Sequence, residues 1–309
     1  MTPLRSGLLA AARSPRLRGF AERSRLTRPV VDRFVAGPDE AAALATTRTL
    51  RDSGRLVTLD FLGEDTTSRD QADDTVRAYR SLLTALADSG QAAGSDVSVK
   101  LSAVGQALPA DGTKLALDNA REICAAARAA GVTVTLDMED HTTTDATLAT
   151  LAELRADFPE TGAVLQAYLR RTEGDCRDLA VAGSRVRLCK GAYAEPASVA
   201  FQGAEVDEAY LRCLGVLVGG AGYPMIATHD PAMIAAARGL VSHRAPDSYE
   251  FQMLFGIRPD EQAALAAAGH RMRVYVPYGG EWYGYFVRRL AERPANLAFF
   301  LRALVSRAR

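Results

Sequence analysis

Short runs rich in β-branched and apolar residues recur along the chain, and most are followed by a longer stretch in which apolar positions return every three or four residues. Eight such runs predict strands, at residues 56–61, 97–101, 132–137, 163–168, 186–190, 225–229, 249–254 and 273–277. Helical periodicity covers residues 116–130, 144–158, 205–218, 231–241 and 259–268, and resumes near 282 towards the C-terminus with an interruption at Pro294. Gly131 stands where a helix C-cap belongs, and Pro231 and Pro259 stand where a first helical turn tolerates them. Strands separated by helices pair in parallel, because each crossover needs the helix. The predicted fold class is therefore α/β, and a closed (β/α)8 TIM-type barrel is its simplest architecture; a doubly wound open sheet is the alternative. No G-x-G-x-x-G follows any predicted strand, so a Rossmann dinucleotide site has no support. The pattern divides the chain into a helical N-terminal arm, residues 1–53, and a barrel, residues 54–309.

Composition narrows the functional classes. The 309 residues carry 37 Lys plus Arg against 37 Asp plus Glu, and this balance argues against a nucleic-acid surface. No run reaches the roughly eighteen apolar residues that would suggest a membrane span. The four cysteines, Cys124, Cys176, Cys189 and Cys213, form no C-x-x-C pair or zinc spacing and read as small buried side chains in a reducing, cytoplasmic setting. The first thirty residues hold Arg5, Arg13, Arg16, Arg18, Arg23, Arg25 and Arg28 against one acid, Glu22. A transit peptide and a basic helix packed outside the barrel both fit that stretch, the second better. It is also a candidate peripheral anchor at the inner face of a membrane.

Barrel chemistry sits at the C-terminal ends of strands, and polar residues recur there: Lys100, Asp137 with Glu139, Asp140 and His141, Gln166, Arg187, Lys190, Thr228, His229, Gln252 and Tyr275. Any one of them is equally at home in a polar barrel layer. Lys190-Gly191-Ala192-Tyr193 suits an anion, with a glycine that lets backbone approach, but it is no P-loop. Asp230 is either a ligand-binding group beside Thr228 and His229 or the N-cap of the helix that follows. Arg288 and Arg289 are suited to bidentate carboxylate binding, although Glu292 lies four residues from Arg288 and offers a local ion pair instead.

Taken in order, Val97-Ser98-Val99-Lys100-Leu101-Ser102, Leu136-Asp137-Met138-Glu139, Leu165-Gln166-Ala167-Tyr168, Arg187-Leu188-Cys189-Lys190-Gly191-Ala192-Tyr193, Ala227-Thr228-His229, Phe251-Gln252-Met253-Leu254-Phe255-Gly256, Arg273-Val274-Tyr275-Val276-Pro277 and Arg288-Arg289-Leu290 closely resemble successive motifs of proline dehydrogenases. Each motif is weak alone; their order is specific. The part before residue 50 resembles the helical arm of the short, monofunctional members, and no aldehyde dehydrogenase sequence follows.

The resemblance implies an FAD-containing barrel that oxidises L-proline to Δ1-pyrroline-5-carboxylate, passes electrons to membrane quinone and so begins the degradation of proline to glutamate. A separate pyrroline-5-carboxylate dehydrogenase would be the next partner. It implies that Lys100, Arg288 and Arg289 hold the substrate carboxylate and that Tyr275 and Tyr285 pack over the proline ring. Arg187 would lie beside the flavin N5, with Met138, Gln166, Lys190, Gly191, Ala192, Thr228 and His229 as further flavin contacts. Asp137 matches an acidic position treated as functional in the family; charge compensation around Lys100 and a catalytic-base role are both open to it. Ala194 departs from the bulky aromatic that many members carry near the adenine. The rival readings are another flavin barrel, such as a methylenetetrahydrofolate reductase, and a flavin-free aldolase forming a Schiff base on Lys100.

The Tyr275 ring is expected to crowd a 4-hydroxyl on the substrate ring, so kcat/KM should be higher for L-proline than for hydroxyproline. Comparable values for the two in steady-state assays would overturn that expectation.

Overall fold

Eight parallel strands pair in chain order, and β8 returns to β1, which closes the barrel. The structure is a computed structural model that describes residues 31–63, 66–283 and 285. The strands are β1 (Leu56–Phe61), β2 (Ser95–Val99), β3 (Thr133–Leu136), β4 (Gly162–Gln166), β5 (Arg185–Cys189), β6 (Tyr223–Ala227), β7 (Glu250–Leu254) and β8 (Met272–Tyr278). The helices between them are α2 (Arg69–Asp88), α3 (Gly112–Ala130), α4 (Thr144–Asp157), α5 (Thr172–Leu179), α6 (Glu205–Gly219), α7 (Pro231–Leu240) and α8 (Pro259–Ala267), and α1 (Glu40–Asp52) precedes β1.

All eight predicted strands exist, but several end earlier than their apolar pattern suggests. Residues Lys100, Leu101, Asp137, Ala167, Tyr168, Lys190, Thr228 and His229 lie beyond the last strand residue. Leu101 shows why: it already has helical dihedrals, φ −66° and ψ −29°, and is almost fully buried under the turn it begins. Its apolarity reports burial and not pairing. Two barrel helices go beyond those that periodicity predicts. In α2, Ser68 caps the first turn by accepting from Gln71 N, and Ala72, Thr75, Val76, Tyr79, Leu82, Leu83 and Leu86 form the buried stripe. Helix α5 has only eight residues, too short and too polar to show a stripe.

Period-two alternation splits the barrel into two environments. Val57 and Leu59, Val97 and Val99, Val186 and Leu188, and Val274 and Val276 join one continuous apolar cluster with helix residues such as Tyr79, Leu82, Ile123, Leu154 and Leu214. The alternate residues face the lumen. Asp96 on β2 pairs with Arg185 on β5, and these strands are not neighbours, so the contact crosses the barrel interior.

Helix α1 packs against β1 and β8 through Ala43, Thr47 and Leu50, and Asp39 caps it by accepting from Ala42 N at 3.0 Å. Just upstream, Val31, Phe34 and Val35 form a second apolar cluster with Leu62, Ile257, Tyr283 and Tyr285. The close approach there depends on Gly256, at φ +74°, where a Cβ would lie 1.8 Å from the Arg33 carbonyl oxygen. The basic stretch before residue 31 and the predicted last helix beyond Tyr285 lie outside the described residues. Among the described residues no helix is long and apolar enough to cross a membrane.

Candidate active site

The strand ends of β2 through β8, with Asp60 of β1, surround a cavity of about 570 Å³. Its lining includes Lys100, Asp137, Met138, Gln166, Arg187, Lys190, Gly191, Ala192, Thr228, His229, Tyr275 and Tyr285. Those are all the expected site residues that fall among the described ones; Arg288 and Arg289, with the proposed Glu292 pair, lie outside them. Ala194 is exposed and does not line the cavity.

Asp137 is the hub of the cavity floor. Its Oδ1 accepts from Ser98 Oγ at 2.6 Å and Arg187 Nη1 at 2.9 Å, and its Oδ2 from Tyr275 Oη at 2.7 Å. Lys100 Nζ stands 3.4 Å from the same Oδ2. Burial alone would push this carboxyl up, but Lys100 and Arg187 and the two hydroxyls outweigh it and hold it below the ordinary carboxylate range. Tyr275 moves the other way: burial and then the Asp137 charge push its phenol well above the usual range, leaving a neutral donor. The Arg187 guanidinium also lies over the Tyr275 ring, 5.2 Å from its centroid.

Lys100 is tied more closely to Asp60, at 2.7 Å, than to Asp137. Sequence motifs do not single out Asp60 or the layer beneath it, nor Ser98 as a site residue. In that layer Asp96 accepts from Thr58, Thr133 and Thr135 and pairs with Arg185 at 3.2 Å, and Glu250 pairs with Arg273 at 2.6 Å. Alternation is the signal that could find them: Thr58 and Asp60, Asp96 and Ser98, Glu250 and Gln252, and Arg273 and Tyr275 each share a face within their strand.

Around the rim, roles expected from sequence acquire partners. Lys190 is held by Asp207 and by Asp230, the latter at 2.8 Å. Burial pulls its ammonium down, but the two carboxylates outweigh that and raise it. Asp230 is the α7 N-cap, accepting from Ala232 N at 2.9 Å while its other oxygen takes Lys190, and it also lines the cavity. His229 Nε2 accepts the Leu254 N–H at 2.9 Å, so that nitrogen carries no proton. Gln166 donates to the Glu139 carbonyl at 2.7 Å. Glu139 itself binds Ser102 through both its N–H and its hydroxyl. His141 is joined to Glu195, which ties the loop after β3 to the loop after β5.

The donor set fits a flavin dinucleotide. The cavity is of cofactor size; Met138, Val164, Ala227, Met253 and Leu254 give it apolar walls, and a guanidinium sits at its floor. Gly191, at φ +120°, keeps the loop after β5 against the Tyr168 ring, where a Cβ would come within 2.3 Å of Cε1.

A family model described as proline dehydrogenase matches residues 43–302. The chain is 41% identical over 286 residues to proline dehydrogenase 1 of Bacillus subtilis, covering 91% of this chain and 92% of that one. It is 39% identical over 312 residues to the proline dehydrogenase of Deinococcus radiodurans, covering 97% of each. Among solved structures, proline utilization A (PutA) from Bdellovibrio bacteriovorus inactivated by N-propargylglycine superposes with a TM-score of 0.78 at 28% identity. That match covers 85% of this chain and 32% of the PutA chain, so this chain spans about a third of it.

Gly191→Ala is expected to lower thermal stability by roughly 1–3 kcal/mol, because the new methyl meets a ring held by Gln166 and Tyr193. Gly174→Ala, inside α5 with nothing within 4 Å of the new Cβ, is the control and should hold Tm or raise it slightly. Equal melting of both variants in a calorimeter would refute the close-approach argument.

Proposed function

The chain belongs to the proline dehydrogenase family, and from that premise we propose that it oxidises L-proline to Δ1-pyrroline-5-carboxylate with FAD as hydride acceptor and membrane quinone as the next electron acceptor. This is the first step from proline towards glutamate, and a separate pyrroline-5-carboxylate dehydrogenase would take the product. The observation that carries the reading is the convergence of Lys100, Asp137, Arg187 and Tyr275 on the floor of one cofactor-sized cavity.

Bound FAD supplies the two-electron acceptor that no side chain offers. The chain's own residues supply position and charge. Arg187 would stand by the reactive edge of the flavin, fixed by Asp137, Ser98 and Gln252. Gly191, Ala192, Thr228 and His229 would approach its polar tail along the rim, and Met138 and Gln166 its ring system. Lys190 serves the diphosphate less directly than its charge suggests, because Asp207 and Asp230 already surround it. Lys100, with Arg288 and Arg289, would take the proline carboxylate, while Tyr275 and Tyr285 cover the ring and keep water from C5. Holding a small zwitterion at three points converts much of the barrier into prepaid orientation. Residues 1–53 act in this reading as an arm on the catalytic barrel of residues 54–309.

Asp137 works in this scheme as a fixed anion. Its carboxyl is held low and its oxygens are already occupied by Ser98, Arg187 and Tyr275, so it is ionised at neutral pH and poorly placed to take a proton. The ion pairs of Lys100 with Asp60 and Asp137 favour its charged form over the free amine that Schiff-base chemistry needs.

The decisive experiment is anaerobic titration of the purified protein with L-proline, followed by visible absorbance. Bleaching of a flavin band supports the proposal; a colourless protein, or one bleached by a reduced nicotinamide and not by proline, overturns it. The Asp137→Asn variant should lose at least about tenfold in kcat/KM, or ~1.4 kcal/mol of transition-state stabilisation, with the shape of its neutral pH profile unchanged. Loss of the acidic limb in that variant would make Asp137 the base instead.

A further inference from the structure

Arg187 donates to four side chains in the lumen, and they are not equivalent. Nη1 donates to Asp137 at 2.9 Å and Ser98 at 3.0 Å, while Nη2 reaches Asp96 only at 3.5 Å. Nε donates to Gln252 Oε1 at 2.6 Å. The Nη1 contacts hold one edge of the guanidinium; the Nε bond stops the plane from pivoting about that edge.

That bond depends on which way the Gln252 amide faces. An amide presents an acceptor on one side and a donor on the other, and a flip would set N–H against N–H at Arg187. The opposite side of Gln252 settles the matter: its Nε2 donates to Glu250 Oε1 at 2.6 Å. Glu250 is an acceptor on every side. Oε1 also takes Arg273 Nε at 2.6 Å, and Oε2 takes Arg273 Nη2 at 3.1 Å and Tyr223 Oη at 3.1 Å. Arg273 is itself anchored to the carbonyls of Val57 and Gly94. Burial disfavours the Glu250 charge, but Arg273 and Gln252 outweigh it and keep the carboxyl below its ordinary range. Glu250 is fully buried and does not line the cavity.

We propose that Glu250 is a positioning residue for Arg187: it claims the amide hydrogens of Gln252, turns the Gln252 oxygen to Arg187 Nε, and so fixes the guanidinium plane at the cavity floor. This rests on the reading that Arg187 faces the flavin. The hydrogen-bond polarity runs one way, from Arg187 to Gln252 to Glu250, and ends on a carboxylate that Arg273 and Tyr223 approach from the other side.

The sign of one measurement separates positioning from simple charge removal. Deleting a buried anion beneath the flavin raises the midpoint potential through space, because reduction adds negative charge. Releasing Arg187 lowers the potential, because a cation aimed at that charge is lost. In the FAD-loaded Glu250→Leu protein, which leaves Gln252 Nε2 without the acceptor that a glutamine would keep, the flavin midpoint potential, measured by spectroelectrochemical titration, should therefore fall. With L-proline, kcat should drop on the order of tenfold and KM should hold. A rise or no change in potential overturns the proposal.

If Glu250→Leu fails to load flavin or to fold, Gln252→Met removes the acceptor at Arg187 without touching any charge. It should lower the potential in the same way, and an unchanged potential overturns the relay. Where both fold, the double variant should fall no further than Gln252→Met alone; effects that multiply would mean Glu250 acts independently of Gln252. Arg187→Met is the reference. If it leaves the potential unmoved, the placement of Arg187 beside the flavin fails, and not the relay.

Discussion

A charged group in a barrel lumen needs its counter-charge and its hydrogen-bond partners at hand, because stripping water from an unpaired ion costs roughly several kcal/mol. In this protein that requirement shapes the whole interior. Asp96 meets Arg185 and Arg187, Glu250 meets Arg273, and Asp60 and Asp137 meet Lys100. The Asp96 pairs and the Asp137–Arg187 pair join strands that share no ladder, so the sheet that closes through β8 and β1 is also braced across its middle. Apolar packing then has one place to go, outside the strands and under the helices, where the continuous core lies.

The same bracing makes the cavity floor rigid. Lysine and arginine side chains would otherwise sample many rotamers, yet Lys100 and Arg187 are each held by groups that are themselves held. Asp137 links both cations to Tyr275 and Ser98, so four side chains at the cavity floor answer to one carboxylate. Preorganised charge of this kind stabilises a reacting centre without rearranging during the reaction. The rim is built differently. His141 with Glu195, and Lys190 with Asp207 and Asp230, join loops to one another and to α6 and α7, where exposure is greater and the hold is looser.

Much of this architecture is legible in the amino-acid pattern. The eight strands follow from β-branched runs, and the polar residues at strand ends mark the face where the cavity lies. Single positions are harder. Asp96 and Glu250 sit at the N-terminal ends of β2 and β7, so a search of C-terminal strand ends misses them, whereas strict alternation sets each beside an inward neighbour; Asp60, next to last in β1, is within reach of either search. Their partners come from strands far away in sequence; Asp96 and Arg185 are 89 residues apart, and no local pattern reports such a contact. Lys190 shows the opposite difficulty. Its motif suggests an anion site, and only the fold brings Asp207 from α6 and Asp230 from the start of α7 against it.

The pairing rule also bears on how an anionic substrate enters a lumen already in balance. Lys100 is the cation expected to meet the proline carboxylate, but Asp60 at 2.7 Å and Asp137 at 3.4 Å already stand around it. Arg187 on Asp137 completes the balance, so a third carboxylate brought to that ammonium would gain little net attraction unless further positive charge came with it. In the proposed reading Arg288 and Arg289 would supply that charge; in the sequence they follow Tyr285, which itself lines the cavity. Tyr285 shares an apolar cluster with Val31, Phe34 and Val35, so the segment before the barrel and the residues just after it meet beside the cavity. In the proposed reading the floor is therefore neutral and fixed by the strands, and the charge that selects a carboxylate arrives from outside them. On that division Lys100 would orient the substrate while the arginine pair binds it.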